Sequence, residues 1–519
     1  MNMRWISLIV IALFFLIVLI PITYILLNPF CYQGHFSFYP LKELILSSRQ
    51  INLLKTSIFF AVSATSLALF LGVSYAVLLE RVLLPARSFM AAAYIIPILI
   101  PSYIQAIVWD SFFNATRNLF YISPFWAATL CLALSYFPYI TLIVVGGLQG
   151  IDQASEEAGL LQRGKFPTLI GITLPLVRPH IITGALFVFV FSIIDFGVPD
   201  IFRLRVYPVE IFVQFSGLYN EKAAIVLSYP LLIIMAFLIL LQMKFMLGKN
   251  YIGFSHVERR IFFWTSGQAK FIGTIFICFI LGMSTMVPLV ILMGKAGSIS
   301  IFVNILKNSW YSLCYSILLA FFATLIMTIL AFWIAYSLER MSQGKRKFLG
   351  EYLTQLPFVM PPILLGIALI RIWNQPFSAW FYQTPLMIIM GYVAHYIPFP
   401  IRALSSAFKQ IDPHLEDAAY LTTQNRIRII VRIILPLIKK GILAAFFIGF
   451  VLSLSDLGVT LLIIPPGPST IPIESYNFMH YGAENKVAAL CLILVIIQII
   501  FAVSIWSIYN VICPANERQ

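Results

Sequence analysis

Charged side chains are scarce in this 519-residue chain, 10% of positions against 61% hydrophobic ones. That leaves too little polar surface to solvate an ordinary globule. Cysteine is sparse too. Cys31, Cys131, Cys278, Cys314, Cys491 and Cys513 form no C-x-x-C pair and mostly fall within apolar runs, so neither a disulfide framework nor a metal knuckle is indicated. The six histidines have no metal-ligand spacing, and no metal site is expected. No G-x-x-x-x-G-K-[ST] pattern occurs, so the chain holds no Walker loop and binds no ATP cofactor of its own. No cluster of His, Cys and acids marks a membrane enzyme, and no catalytic residue is expected.

What the sequence does have is apolar runs long enough to cross a hydrocarbon core, which takes about 20 residues per helix. They recur at 5–28, 53–79, 89–110, 124–148, 180–200, 223–247, 270–293, 309–338, 348–372, 385–408, 441–463 and 487–512. The fold class is therefore an all-α polytopic membrane protein of about twelve transmembrane helices. The first run, Ile6 to Leu27, is too long for a signal h-region and lacks an A-x-A-like site, so it reads as a retained span in the lipid bilayer. Most of the 34 Lys and Arg fall in alternate connections, among them Arg81, Arg163, Lys165, Arg259, Arg260, Lys345 and Arg428. The positive-inside rule makes that side, and both termini, cytoplasmic. It also accounts for the net charge of +14 without a nucleic-acid partner.

The chain is a duplication. Tyr136 matches Tyr396, Pro138 matches Pro398, Ile151-Asp152 matches Ile411-Asp412 and Glu156 matches Glu416. Glu80-Arg81 matches Glu339-Arg340, Pro97 and Pro101 match Pro357 and Pro361, and Asp195-Phe196-Gly197-Val198 matches Asp456-Leu457-Gly458-Val459. An even number of spans separates equivalent points, so the halves are parallel repeats. The expected division is 1–247 for the first half, a cytoplasmic linker at 248–269 and 270–519 for the second.

Each half interrupts its apolar runs with a polar helical segment. Asp152 and Asp412 are good N-caps, Pro413 suits a first helical position, and Glu156, Glu157, Glu416 and Asp417 sit near the positive helix end. Gly164 or Asn425 can end the helix. About 11 residues, roughly 16 Å, is too short to span. Ala158 with Leu161, and Ala418 with Leu421, give each helix an apolar face of small residues suited to docking. Asp195 and Asp456 fall at equivalent places within apolar helices. They either line the transport path and receive a cation, or accept backbone N–H groups at a helix break before Gly197 and Gly458. His395 reads as a packing group, Arg371 as a snorkelling cation near an outer helix end, and the prolines as helix breaks or kinks.

Glu157-Ala158-Gly159 followed by Leu174-Pro175, and Asp417-Ala418-Ala419 followed by Leu435-Pro436, resemble the E-A-A motif of bacterial ABC-importer permeases with its I-x-L-P closing element. Arg163 and Thr423 stand where that pattern has glycine. The resemblance spans both halves and implies a fused pair of type I permease domains in a bacterial inner membrane. It also implies that the segments 152–178 and 412–437, through Glu156, Glu157, Ala158, Gly159, Leu174, Pro175 and Glu416, Asp417, Ala418, Ala419, Leu435, Pro436, couple to two cytoplasmic ATPase subunits that bind the ATP. A periplasmic substrate-binding protein would deliver the cargo. The stretch from Pro465 and the Asp195 motif look similar to the ferric-iron branch, which implies iron(III); fused permeases for thiamine, phosphonate or polyamine are the alternatives. A twelve-span secondary transporter is the competing class, and it would need no paired E-A-A-like segments.

Overall fold

A computed structural model describes residues 3–32, 35–36, 48–118, 121–246, 263–342, 344–423 and 425–512. Most of the expected linker, up to residue 262, and the side chains of Cys31 and Cys513 lie outside the described residues. The chain is helical because lipid offers backbone groups no alternative partner. Among the described residues, eight helices are long and apolar enough to cross a membrane: Leu8–Leu27, Ser48–Arg81, Pro124–Gln149, Lys165–Ile194, Glu221–Met243, Gly267–Ala296, Trp310–Glu339 and Glu484–Val511. Four bent pairs bring the number to the expected twelve where each pair counts as one span: Arg87–Leu99 with Ser102–Ala115, Lys345–Val359 with Pro362–Trp373, Pro385–Tyr396 with Pro398–Lys409, and Arg426–Leu437 with Lys439–Leu454.

Proline sets the bends. The third span of each half turns by 89° and 99° just where Pro101 and Pro361 hold the backbone extended, at ψ 144 and ψ 134. The fourth span runs straight through Pro138, but its counterpart bends by 52° at Pro398, where Pro400 follows within the same turn. Four of the five π turns among the described residues, Phe15–Leu19, Leu169–Thr173, Gly282–Met286 and Ile430–Ile434, each end two residues before a proline, Pro21, Pro175, Pro288 and Pro436; Val213–Gly217 is the exception. The pyrrolidine ring has no N–H and crowds the carbonyl four residues back, and a wider turn relieves both. In one case the released carbonyl finds a new donor: Gln105 Nε2 donates to the Ser284 carbonyl at 2.7 Å.

The compact units do not coincide with the sequence halves. One consists of Met1–Leu44, Ile211–Leu232 and Ala296–Gln519, the other of Ile45–Glu210 and Ile233–Lys295. In the first, Leu8–Leu27 packs on Trp310–Glu339, Pro362–Trp373 and Pro385–Tyr396. In the second, Gly267–Ala296 packs on Ser48–Arg81 and Pro124–Gln149. Each repeat thus gives its opening span to the unit built around the other repeat. Span identity is local and legible in the sequence, whereas the choice between two homologous partners is not.

Repeat symmetry extends to the ends of the spans opposite the short helices. Ser57 and Ser316 each donate to the carbonyl one turn back and accept from the first amide of a short X-Pro helix, Tyr207 N and Ile471 N, both at 2.9 Å. Arg371 does not merely snorkel: it is ion-paired with Glu221. His395 is buried with its ring edge against Tyr396, and no group of metal-ligating side chains occurs among the described residues.

Candidate functional site

The two polar segments fold as the caps dictate. Gln153–Arg163 and Pro413–Thr423 are helices of 11 residues each. Asp152 accepts from the amides of Ala154 and Ser155 and from the Ser155 hydroxyl, at 3.4, 3.2 and 2.9 Å. Those bonds, the hydroxyl first and then the two amides, hold its carboxyl below the usual carboxylate range, so the cap is charged at neutral pH. Asp412 accepts from His414 N at 2.9 Å. Gly164, at φ 78, ends the first helix in a conformation that costs glycine little. Asn425 behaves differently from the expectation. It is extended, and its side chain accepts from Ile427 N and Arg428 N, so it starts the next helix rather than ending the previous one.

The segment 152–178 is not a single short helix followed by a loop. Past Gly164 the chain becomes helical again at Lys165 and continues through the π turn and Leu174-Pro175 into the fifth span, which ends at Ile194. The sequence placed the start of that span at 180, because Lys165 and Arg178 dilute the hydropathy while leaving helix formation unaffected. In the second half the corresponding helix bends by 74° at Ile438.

Within each short helix the two adjacent acids part ways. Glu156 is 2% exposed and turned inward. Arg81 Nε donates to it at 3.0 Å and Thr173 Oγ1 at 2.7 Å. Glu416 accepts from Tyr336 at 2.9 Å and from the guanidinium of Arg340. Glu157 and Asp417, one residue on, are exposed, as are Ala158 and Ala418. Leu161 and Leu421, at repeat-equivalent positions, are 89% and 83% exposed. An acid, an alanine and a bare leucine on one face make a surface that nothing among the described residues covers. The E-A-A resemblance counts Glu156 and Glu416 among the coupling residues; in the fold they are turned inward and anchor the helices. Sequence reading missed Arg81 and Arg340 as parts of the site, although the matching Glu-Arg dipeptides were the available signal.

Gly159 explains one departure from the E-A-A pattern. A Cβ there would sit 2.5 Å from Ile172 Cδ1 and 2.9 Å from Thr168 Cγ2. Thr168 cannot rotate away, since its hydroxyl is bonded to the Gly164 carbonyl at 2.7 Å. Gly159→Ala, though it restores the motif, is expected to destabilise by about 1–2 kcal/mol through overpacking. Ala419→Gly should cost no more than about 1 kcal/mol, the helix-propensity difference. Thermal unfolding midpoints of the purified variants check this, and equal shifts would refute the packing argument.

Asp195 and Asp456 are not mid-helix. Asp195 is the first residue past the helix ending at Ile194, and Asp456 follows the helix ending at Leu454 by two. Asp195 accepts from Val198 N at 2.9 Å, Ser102 Oγ at 2.9 Å and Tyr136 Oη at 2.8 Å. Asp456 accepts from Thr460 N at 2.9 Å, Thr460 Oγ1 at 2.6 Å and Tyr396 Oη at 2.7 Å. The repeat-related tyrosines serve the repeat-related acids. These bonds are those of the helix-break reading.

Residues 327–512 match the family described as binding-protein-dependent transport system inner membrane component. The chain is 25% identical over 471 residues to the Fe(3+)-transport system permease protein FbpB 2 of Haemophilus influenzae, covering 86% of this chain and 88% of that one. It is 30% identical over 186 residues to the molybdenum transport system permease protein ModB of the same organism, 33% of this chain and 80% of that one. It is 26% identical over 204 residues to the putative 2-aminoethylphosphonate transport system permease protein PhnV of Salmonella typhimurium, 38% of this chain and 75% of that one.

Proposed function

Because this chain belongs to the binding-protein-dependent transport system inner membrane components and is the permease subunit of such an ABC importer, we propose that it carries iron(III) and docks two cytoplasmic ATPase subunits, one on each short helix. A binding protein and an ATPase are the partners that family membership implies. The carrying observation is that Gln153–Arg163 and Pro413–Thr423 are both anchored from within and both present an exposed acid, alanine and leucine. An anchored helix with an open face can pass on a push. Iron(III) is favoured because the ferric relative matches across both repeats, whereas the molybdenum and phosphonate relatives each cover about a third of the chain. An oxyanion is the second reading, on the strength of those partial matches.

In this arrangement the ends of the spans that carry the short helices are cytoplasmic, and so are both termini. Reporter fusions test it: Gly344 should report the cytoplasm, and Asn118 and Gly467 the outer side. Reconstitution with the ATPase and binding protein of the same system tests the cargo. ATP-dependent uptake of ⁵⁵Fe(III) is expected, and uptake of molybdate or 2-aminoethylphosphonate in its place would transfer the assignment to oxyanions.

A further inference from the structure

The dipeptides Glu80-Arg81 and Glu339-Arg340, at the ends of repeat-equivalent spans, grip in two directions. Glu80 pairs with Arg87 at 2.9 Å and accepts from Gln149 Nε2 at 3.0 Å, where the third span begins and the fourth ends. Glu339 pairs with Lys347 at 3.0 Å and Lys409 at 3.8 Å, at the corresponding places of the second half. The arginine of each pair reaches the other way, into the short helix, at Glu156 and Glu416. A buried ion pair is a poor source of net stability, since desolvation offsets most of the attraction. Its merit is directional, because a guanidinium fork fixes both distance and orientation. No short covalent path joins each short helix to the span that precedes it by some seventy residues, so the arginine is the rigid link.

The two links differ. Arg81 Nη2 also donates to the Leu148 carbonyl at 2.8 Å, its guanidinium lies 5.9 Å from the Phe263 ring, and its own carbonyl accepts from Phe263 N and Trp264 N at 2.8 and 3.2 Å. Glu156 is held as well by Thr173, from the foot of the fifth span. Around Glu416, the two donors among the described residues are Tyr336, within the span Trp310–Glu339, and Arg340, the residue just past its end.

We infer that Arg81 and Arg340 are positioning residues that make each short helix move as one body with the span whose end carries the arginine, Ser48–Arg81 or Trp310–Glu339, and that the links are unequal: Arg81 joins the first short helix to several elements, Arg340 ties the second to a single span. The inference rests on the docking reading above. Spin labels at Gln162 and Val62 in one unit, and at Thr422 and Ile329 in the other, exposed positions off the acid–alanine–leucine face, report the coupling as a distance in the ATPase-bound complex. Wild type should keep one narrow distance with and without Mg²⁺–ATP. Arg81→Lys and Arg340→Lys keep the charge but lose the fork, and should match wild type without nucleotide and lose the narrow distance when it is added, more completely for Arg81→Lys. Combining Arg340→Glu with Glu416→Arg should restore the nucleotide-independent distance and also serves if a lysine variant does not insert. Lysine variants that follow wild type with nucleotide would overturn the inference. So would distances already broad without it, since those mark an ordinary folding contact. The docking reading fails separately, if the wild-type chain retains no ATPase.

Discussion

Reversing the exposed acids, with Glu157→Lys and Asp417→Lys together, is expected to abolish ATP-dependent transport while the protein still inserts. Both side chains project from anchored helices, and among the described residues their only partners are neighbours on their own helices, Gln153 at 2.7 Å and His414 at 4.0 Å. Stability should therefore stay within about 0.5 kcal/mol of wild type, as for other surface substitutions. An ATPase cleft that accepts an acid would instead meet a lysine, and like-charge contact across a dry interface costs on the order of 3 kcal/mol, about a hundredfold in affinity. Co-purification of the ATPase should fall in step with transport. Full transport by the double variant would place docking elsewhere.

The second large effect is expected at the helix breaks. Asp456 is 2% exposed and takes three hydrogen bonds. Asp456→Ala removes the acceptor of the Thr460 amide, the Thr460 hydroxyl and the Tyr396 hydroxyl; the Thr460 hydroxyl keeps the Tyr392 hydroxyl at 3.2 Å, but the buried amide loses its side-chain acceptor in an apolar span. Each buried orphan costs about 1–3 kcal/mol, so the sum is a large fraction of a domain's stability. Asp195→Ala removes the acceptor of the Val198 amide and of the Ser102 and Tyr136 hydroxyls, at a position less completely enclosed than Asp456. The expected order is a severe loss of thermal stability and membrane abundance for Asp456→Ala, a smaller one for Asp195→Ala, and near-normal uptake per inserted molecule for both. Stable variants with impaired uptake would return the acids to the transport path.

The exchanged opening spans bear on any attempt to divide the chain. Cutting at the expected linker, 248–269, would separate Leu8–Leu27 from the second-half helices it packs against. It would likewise separate Gly267–Ala296 from Ser48–Arg81. A sequence boundary between repeats is therefore not a boundary between folding units here.

Properties carried by short stretches were determined by the sequence itself. Twelve apolar runs, two capped helices of 11 residues, the Leu-Pro closures and the parallel duplication all follow from hydropathy, capping chemistry and internal matching, none of which requires knowing what lies nearby. The tertiary structure decided everything that depends on a partner distant in the chain. Glu156 and Glu157 are the same residue type at adjacent positions, and nothing local separates them. A turn of 100° about the helix axis sends one inward to Arg81 and leaves the other exposed. Asp195 and Asp456 carried two readings because an acid in an apolar run is costly whatever its partner, and only the folded chain brings Tyr136 and Tyr396 to them. Which repeat each opening span joins was open for the same reason: two homologous halves offer nearly the same surface, and only their packing in three dimensions breaks the tie.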